Sequence, residues 1–124
     1  MKNDFPKTRR VRSGRDFTLV LRRGGVAADG CLVVFTMRNN QIGRSRLGVT
    51  IPKRTGNAVH RNRWKRWIRE SFRTQQHQLP SGFDFVVRPK KGAKASWASI
   101  EASLPRLAQK AIRRLENASR SPKS

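Results

Sequence analysis

The residues best suited to chemistry in this chain are positively charged and concentrate between residues 58 and 73, where the sequence is AVHRNRWKRWIRESFR. At the 100° step of an α-helix, six side chains fall on one face of this segment, and five of the six are cations: Arg61, Asn62, Lys65, Arg66, Arg69 and Arg73. Like charges at i, i+4 repel, and only Glu70 interrupts the row. The face therefore predicts binding to the phosphates of a polyanion.

The opposite face of the same helix is apolar. Its members recur at the i, i+3, i+4, i+7, i+8 spacing of a buried stripe: Trp64, Trp67, Ile68, Ser71 and Phe72. We expect both tryptophans to fill a core rather than to stack on bases. Asn57 is placed to cap the helix, whose free N-terminal amides also attract phosphate. The end of the helix between residues 57 and 63 is therefore the expected site of the best phosphate contact.

Residues for protein-only catalysis are sparse. His60 and His77 are far apart in sequence and lack neighbouring cysteines or paired carboxylates, and Cys31 is the single cysteine, which we expect to be a small core residue. The seven acidic residues are scattered, so a two-metal nuclease centre is hard to assemble. We predict no catalytic residue and no metal ligand on the protein, and expect any phosphodiester chemistry to use ligands from a partner.

The net charge of the chain restricts the class of its binding partner. At 124 residues it is long enough for one domain, and 29 Lys and Arg against 7 Asp and Glu give a net charge of +22. Such an excess favours nucleic acid or an anionic membrane surface. Membrane is the weaker choice because no apolar run approaches the ~20 residues of a spanning helix and the first residues lack the apolar core of a signal peptide. We expect a cytoplasmic protein.

Periodicity predicts the elements that position these residues. Ser13 can cap a short helix with Asp16 in its first turn and Phe17, Val20 and Leu21 on one side, ended by Gly24 and Gly25. Apolar runs at 31–37 and 47–51, separated by a polar turn, predict two strands paired as an antiparallel hairpin. A third strand is predicted at 83–87.

The last predicted element is a C-terminal helix with Ser96 or Ser99 as its cap. Pro105 is tolerated only in a first turn, so we expect the regular helix to begin near Ser103. Residues 1–12 form a predicted basic, flexible arm, and residues 117–124 a flexible tail.

One segment also resembles a known family. Arg61-Asn62-Arg63, followed by Lys65-Arg66 and Arg69-Glu70, with Ala58 upstream, resembles the RNR signature of the bacterial ribonuclease P protein subunit. Asp16-Phe17, Arg46-Leu47-Gly48-Val49 and Phe83-Asp84-Phe85-Val86-Val87 fall where that family has its counterparts. The resemblance covers nearly the whole chain.

The resemblance implies an α+β fold, an α-β sandwich with a four-stranded sheet in the order α-β-β-β-α-β-α and a left-handed βαβ crossover. It implies a single RNA-binding domain, 1–124, that binds ribonuclease P RNA and the 5′ leader of precursor tRNA and assists endonucleolytic removal of the leader. Mg²⁺ is expected mainly on the RNA, and neither a membrane nor a protein partner is required.

The resemblance also assigns residues. The expected contacts with the catalytic RNA are Arg61, Asn62, Arg63, Lys65, Arg66 and Arg69, to which the helical pattern adds Arg73. The leader-binding cleft of the family matches Phe17 and Phe35, with core packing as the alternative for both rings. Leu21 stands where some relatives carry another aromatic. Further basic contacts are expected from Lys53, Arg54, Lys90 and Lys91.

Two other classes of function remain open at this point. A small basic ribosomal protein would share the charge and the fold class, but needs neither this signature nor an aromatic-lined cleft. A self-sufficient ribonuclease would need a general acid and base or clustered metal ligands.

Overall fold

The computed structural model describes residues 14–39 and 45–120. Its elements are α1 (Gly14–Arg23), β1 (Gly25–Ala28), β2 (Leu32–Arg38), β3 (Arg46–Val49), α2 (Ala58–Gln75), β4 (Phe83–Pro89) and α3 (Trp97–Arg120). This is the α-β-β-β-α-β-α order that the resemblance implied, and the α+β prediction is confirmed. The predicted arm at 1–12, the Ser13 cap, the Asp16 side chain and the end of the tail at 121–124 lie outside the described part.

The four strands form one mixed sheet in the order β1-β2-β4-β3. β4 pairs antiparallel with β2 and parallel with β3, so the predicted hairpin between the strands at 31–37 and 47–51 is wrong. β4 is buried along nearly its whole length, and a strand apolar on both faces takes a central position with a neighbour on each side. The parallel pair needs a long crossover, which α2 supplies. The left hand of that crossover stays a prediction.

β1 was not among the strands predicted from periodicity, because Gly24 and Gly25 were interpreted only as a helix stop. Gly25 opens the strand instead, and α3 crosses it so closely that a Cβ there would lie 2.2 Å from the carbonyl oxygen of Ala111. The turn into β2 is closed by Asp29, whose Oδ1 accepts hydrogen bonds from the N–H groups of Cys31 (2.7 Å) and Leu32 (3.0 Å).

The core lies on one face of the sheet, under α2 and α3. It contains Leu32, Val34, Leu47, Phe85 and Val87 from the strands, and Trp64, Ile68 and Phe72 from α2. The apolar stripe predicted for α2 is thus confirmed, with Trp67 packed against the edge of the core. Cys31 is also buried, as predicted. This packing turns the basic side of α2 away from the sheet.

α3 begins at Trp97, six residues before the predicted start, so the expectation based on Pro105 is wrong. Ser96 is the cap, since its Oγ accepts a hydrogen bond from the N–H of Ser99 (3.3 Å). Pro105 lies inside the helix and leaves the carbonyl of Glu101 without a backbone donor. The Gln75 side chain of α2 supplies one instead, with Nε2 3.1 Å from that oxygen. The helix continues to Arg120, so residues 117–120 of the predicted tail are helical.

Candidate nucleic-acid interface

The basic side of α2 begins at a capped N-terminus. Asn57 is the cap as predicted, and its Oδ1 accepts a hydrogen bond from the N–H of His60 at 2.9 Å. The helix follows directly on a short 3₁₀ turn, Lys53–Thr55, which itself follows β3. The partial positive charge of an 18-residue helix therefore adds to the cations of its first turns.

The side chains of this basic face differ in exposure. Asn62 and Arg66 are exposed, and the half-buried members are Arg61, Lys65, Arg69 and Arg73. Arg63, outside this face, is also exposed. Glu70 accepts from Arg73, with 3.2 Å between Nε and Oε1, and this bond lowers the pKa of Glu70 and raises that of Arg73. The single carboxylate of the face is therefore engaged at its C-terminal end. Arg66, toward the middle of the helix, stays open to solvent.

Two arginines near the start of α2 are partly fixed by their surroundings. The guanidinium of Arg63 lies over the ring of Trp67, 5.8 Å from the ring centre. The Nε of Arg61 is shielded from solvent and has no hydrogen-bond partner among the described residues. That nitrogen is therefore not accessible to a ligand from solvent.

The two predicted basic loops start at the same edge of the sheet. β3 and β4 are parallel, so the segments that follow them leave at one end, next to the N-terminus of α2. The four cations predicted in these segments, here called the basic edge, are all exposed: Lys53, Arg54, Lys90 and Lys91. The second loop is anchored because the N–H of Lys90 donates to the carbonyl of Cys31 at 2.9 Å. The fold thus gathers the basic edge and the start of α2 into one positively charged region.

The opposite face of the sheet carries the two predicted leader-binding aromatics. Phe35 of β2 and Gly48 of β3 are both register partners of Val86 on β4, so the three positions form one row across the sheet. The Phe17 ring of α1 lies over Gly48, where a Cβ would be 2.6 Å from Cζ. The Phe17 ring, over β3, and Phe35, on β2, therefore flank Val86, since β2 and β3 lie roughly 10 Å apart, two strand spacings. We call the surface formed by Phe17, Gly48, Val86 and Phe35 the cleft.

The exposure of the cleft residues bears on the alternative that Phe17 and Phe35 are core residues. Val86 is fully buried, whereas Phe17 and Phe35 are only half-buried. The guanidinium of Arg88 lies 5.2 Å from the centre of the Phe35 ring. Neither ring belongs to the core under α2 and α3. Sequence reasoning missed Arg88, Val86 and Gly48 as neighbours of the aromatics because only the strand register brings them together.

A buried ion pair holds β3 beside β4 on this same face. Arg46 donates to Asp84 with two nitrogens, from Nε to Oδ1 at 2.8 Å and from Nη2 to Oδ2 at 2.6 Å. Asn39 adds a bond to Oδ1 at 2.9 Å. Arg46 and Asp84 are register partners, so the pair fixes the alignment that places Gly48 beside Val86.

Four of the five carboxylates whose side chains the structure describes are occupied by the chain itself, and the fifth, that of Glu101, is exposed. Asp84 pairs with Arg46, Glu70 with Arg73, and Glu116 with Arg38. Burial works against ionisation of Asp29, but bonds from Ser103, the Leu32 and Cys31 amides and Arg106 outweigh it and lower its pKa. Within 14–39 and 45–120, no group of three or more His, Cys, Asp or Glu could hold a metal ion.

The sequence model of the Ribonuclease P family matches residues 5–112. The chain belongs to the ribonuclease P protein family. The ribonuclease P protein component of Thermotoga maritima is 40% identical over 101 residues, which are 82% of this chain and 86% of that one. The component of Petrotoga mobilis is 35% identical over 113 residues, 90% of this chain and 95% of that one.

Solved structures of ribonuclease P proteins share the fold. That of the Thermotoga maritima protein has a TM-score of 0.74 at 33% identity, covering 82% of this chain and 96% of that one. That of the Staphylococcus aureus protein has a TM-score of 0.74 at 32% identity, covering 88% and 99%. Family membership brings RNA binding, partnership with ribonuclease P RNA and a part in ribonuclease P endonuclease activity. No helix in the described part of the chain is long and apolar enough to cross a membrane.

Proposed function

We propose that this chain acts on precursor tRNA as the protein subunit of a ribonucleoprotein whose catalytic centre lies on the RNA. The observation that carries the proposal is the division of α2 into an apolar side packed on the core and a basic side turned to solvent. Such a side binds folded RNA backbone, since phosphate contacts need cations that are not already neutralised. The pairing of four carboxylates with cations of the chain supports assigning Mg²⁺ to the RNA partner.

The contacts with ribonuclease P RNA are assigned to the basic face of α2 together with Arg63. The basic edge extends this surface beyond the helix N-terminus, so a single stretch of folded RNA can meet both. Arg66 is the most open cation in the middle of the face and therefore its best probe. The proposal needs no second protein and no membrane, and it places the reaction in the cytoplasm.

The 5′ leader of precursor tRNA is assigned to the cleft. Unpaired bases stack on aromatic side chains, and half-buried Phe17 and Phe35 present ring surface beside an apolar floor at Val86. Arg88, over the Phe35 ring, supplies a cation for the phosphate between neighbouring nucleotides. The two RNA surfaces thus differ in chemistry: the cleft suits single strands and α2 suits folded backbone.

Reconstitution tests the proposal. Purified protein should not cleave precursor tRNA by itself in Mg²⁺, but should accelerate leader removal by a bacterial ribonuclease P RNA at low salt. A heat-denatured sample of the same preparation controls for the cations added with the protein. Equal cleavage with and without the RNA, in a preparation free of other nucleases, contradicts the proposal.

A further inference from the structure

The backbone conformation at position 48 does not by itself require glycine. It lies within β3, paired with Val86 of β4, and it is not among the described glycines with a positive φ, which are Gly56, Gly82 and Gly92. Any residue could adopt its extended conformation. The requirement therefore comes from what lies above it.

The Phe17 ring occupies the space that a side chain at position 48 would take. A Cβ on Gly48 would lie 2.6 Å from Cζ, 3.1 Å from Cε1 and 3.2 Å from Cε2 of Phe17. Ordinary contacts begin at 3.4 Å, so the ring would have to retreat by about 0.8 Å. The nearest atom is the outer tip of the ring, so the sheet backbone at Gly48 sets how deeply Phe17 enters the cleft.

The helix α1 has little freedom to shift as a rigid unit and so relieve this clash. Val20, one turn after Phe17, is buried, and Gly24 follows the helix in such close contact that a Cβ would lie 2.4 Å from the carbonyl oxygen of Thr36 on β2. The C-terminal half of α1 is therefore closely packed against β2. A methyl group at position 48 would move chiefly the Phe17 side chain.

We propose that Gly48 is a positioning residue that sets the depth of the Phe17 ring and thereby the fit of a leader nucleotide between Phe17 and Phe35. This inference rests on the proposed function of the cleft. In this proposal Gly48 itself contacts neither ribonuclease P RNA nor the leader of precursor tRNA. Its part is to leave room for the ring to sit against the sheet beside Val86.

The matched pair Gly48→Ala and Gly30→Ala tests the inference. A Cβ on Gly30 meets nothing within 4 Å, and Gly30 also lacks a positive φ, so this control adds a methyl group without a clash. Each variant is assembled with ribonuclease P RNA, and the dissociation constants of precursor and mature tRNA are measured. We expect Gly48→Ala to lower the preference for precursor roughly three- to tenfold, part of the value of one stacked base. Gly30→Ala should leave the preference unchanged.

A second comparison places the same change in a Phe17→Ala background, where the methyl group has no ring to displace. There Gly48→Ala should cause no further change in the precursor preference, and this result is expected even if the single Gly48→Ala variant does not fold. A further loss in that background overturns the positioning role. Full precursor preference in folded Gly48→Ala, with Phe17→Ala defective, also overturns it while leaving the cleft in place. If Phe17→Ala has no effect either, the cleft assignment itself fails.

Discussion

The side-chain amide of Gln75, in the last turn of α2, donates to the backbone carbonyl of Glu101 in α3 at 3.1 Å. That carbonyl faces Pro105, which has no N–H to offer it. The same amide nitrogen also lies 2.7 Å from Oγ of Ser71, a fully buried hydroxyl. One side chain therefore satisfies two polar groups at the contact between the RNA-binding helix and α3.

Gln75→Ala should lower the free energy of unfolding by about 0.5–1.5 kcal/mol, because it removes the part-buried bond to Ser71 and the exposed bond to Glu101. In a Pro105→Ala background the loss should be smaller, since the N–H of residue 105 can then bond to Glu101. Urea unfolding of the four proteins measures the difference. Gln109→Ala is the control, because its exposed amide bonds only to the carbonyl of Gln78. An equal loss in both backgrounds would show that Gln75 does not compensate for the proline.

Asp29 should make stability depend on pH at the acid end. Its pKa is lowered below the ordinary 3.8 because the bonds from Ser103, the two amides and Arg106 outweigh burial. A carboxyl group with a lowered folded-state pKa stabilises fully above its unfolded pKa, and this contribution disappears as pH falls through the folded value. Stability should therefore drop below about pH 4. Asp29→Asn should be less stable at pH 7 and lose less stability on acidification, and parallel curves for the two proteins would contradict the assignment.

Arg66 should contribute to the salt dependence of RNA binding. Each phosphate contact changes the slope of log K against log salt by roughly 0.7 for single strands and 0.9 for duplex DNA, so Arg66→Ala should flatten the slope by somewhat under one unit. Binding to ribonuclease P RNA across a salt series measures it. Arg113→Ala, which removes an exposed cation from α3, is the control and should change the slope less. Equal slopes for wild type and Arg66→Ala would count against the basic face.

Leu21 offers a gain-of-function test of the cleft. It lies one turn after Phe17 on the same side of α1 and is 40% exposed. Leu21→Phe adds a second ring beside Phe17, and we expect precursor tRNA to bind a few-fold more tightly while mature tRNA is unaffected. Leu19→Phe is a close control, because Leu19 is 38% exposed but points to a different side of the helix. Equal gains from both substitutions would show a non-specific effect of the added ring.

Local patterns predicted α2 well, because a 3.6-residue period and the Asn57 cap are properties of a short segment. Two predictions were wrong, the pairing of β3 and the start of α3, and both features involve contacts between segments that are distant in sequence. The partner of β3 is β4 rather than β2, and nothing within residues 31–51 indicates that a later strand is inserted between them. In α3 the Glu101 carbonyl, which Pro105 cannot serve, accepts from Gln75, 30 residues before Pro105, and no helix rule applied to α3 alone includes that donor.

Some features of the candidate site could be predicted from local sequence and others could not. The cations of α2 could be named from spacing and from the RNR signature, since they share one helix face. The contact of Phe17 with Gly48, and the placing of Arg88 over Phe35, follow from the register of β2, β4 and β3. That register is set by the buried Arg46 and Asp84 pair and by the burial of β4. Sequence alone does not reveal which residues face each other across the sheet.

The most direct test of two separate RNA surfaces is the ratio of the dissociation constants of precursor and mature tRNA, measured for particles assembled with Phe17→Ala and with Arg66→Ala. Phe17→Ala should weaken precursor binding by roughly 1–3 kcal/mol and leave mature tRNA binding nearly unchanged, because mature tRNA has no leader. Arg66→Ala should require more protein to saturate the RNA, yet the particles that form should keep most of the precursor preference. Thermal unfolding confirms that each variant is folded. Full precursor preference in folded Phe17→Ala, or its loss in Arg66→Ala instead, would contradict the account.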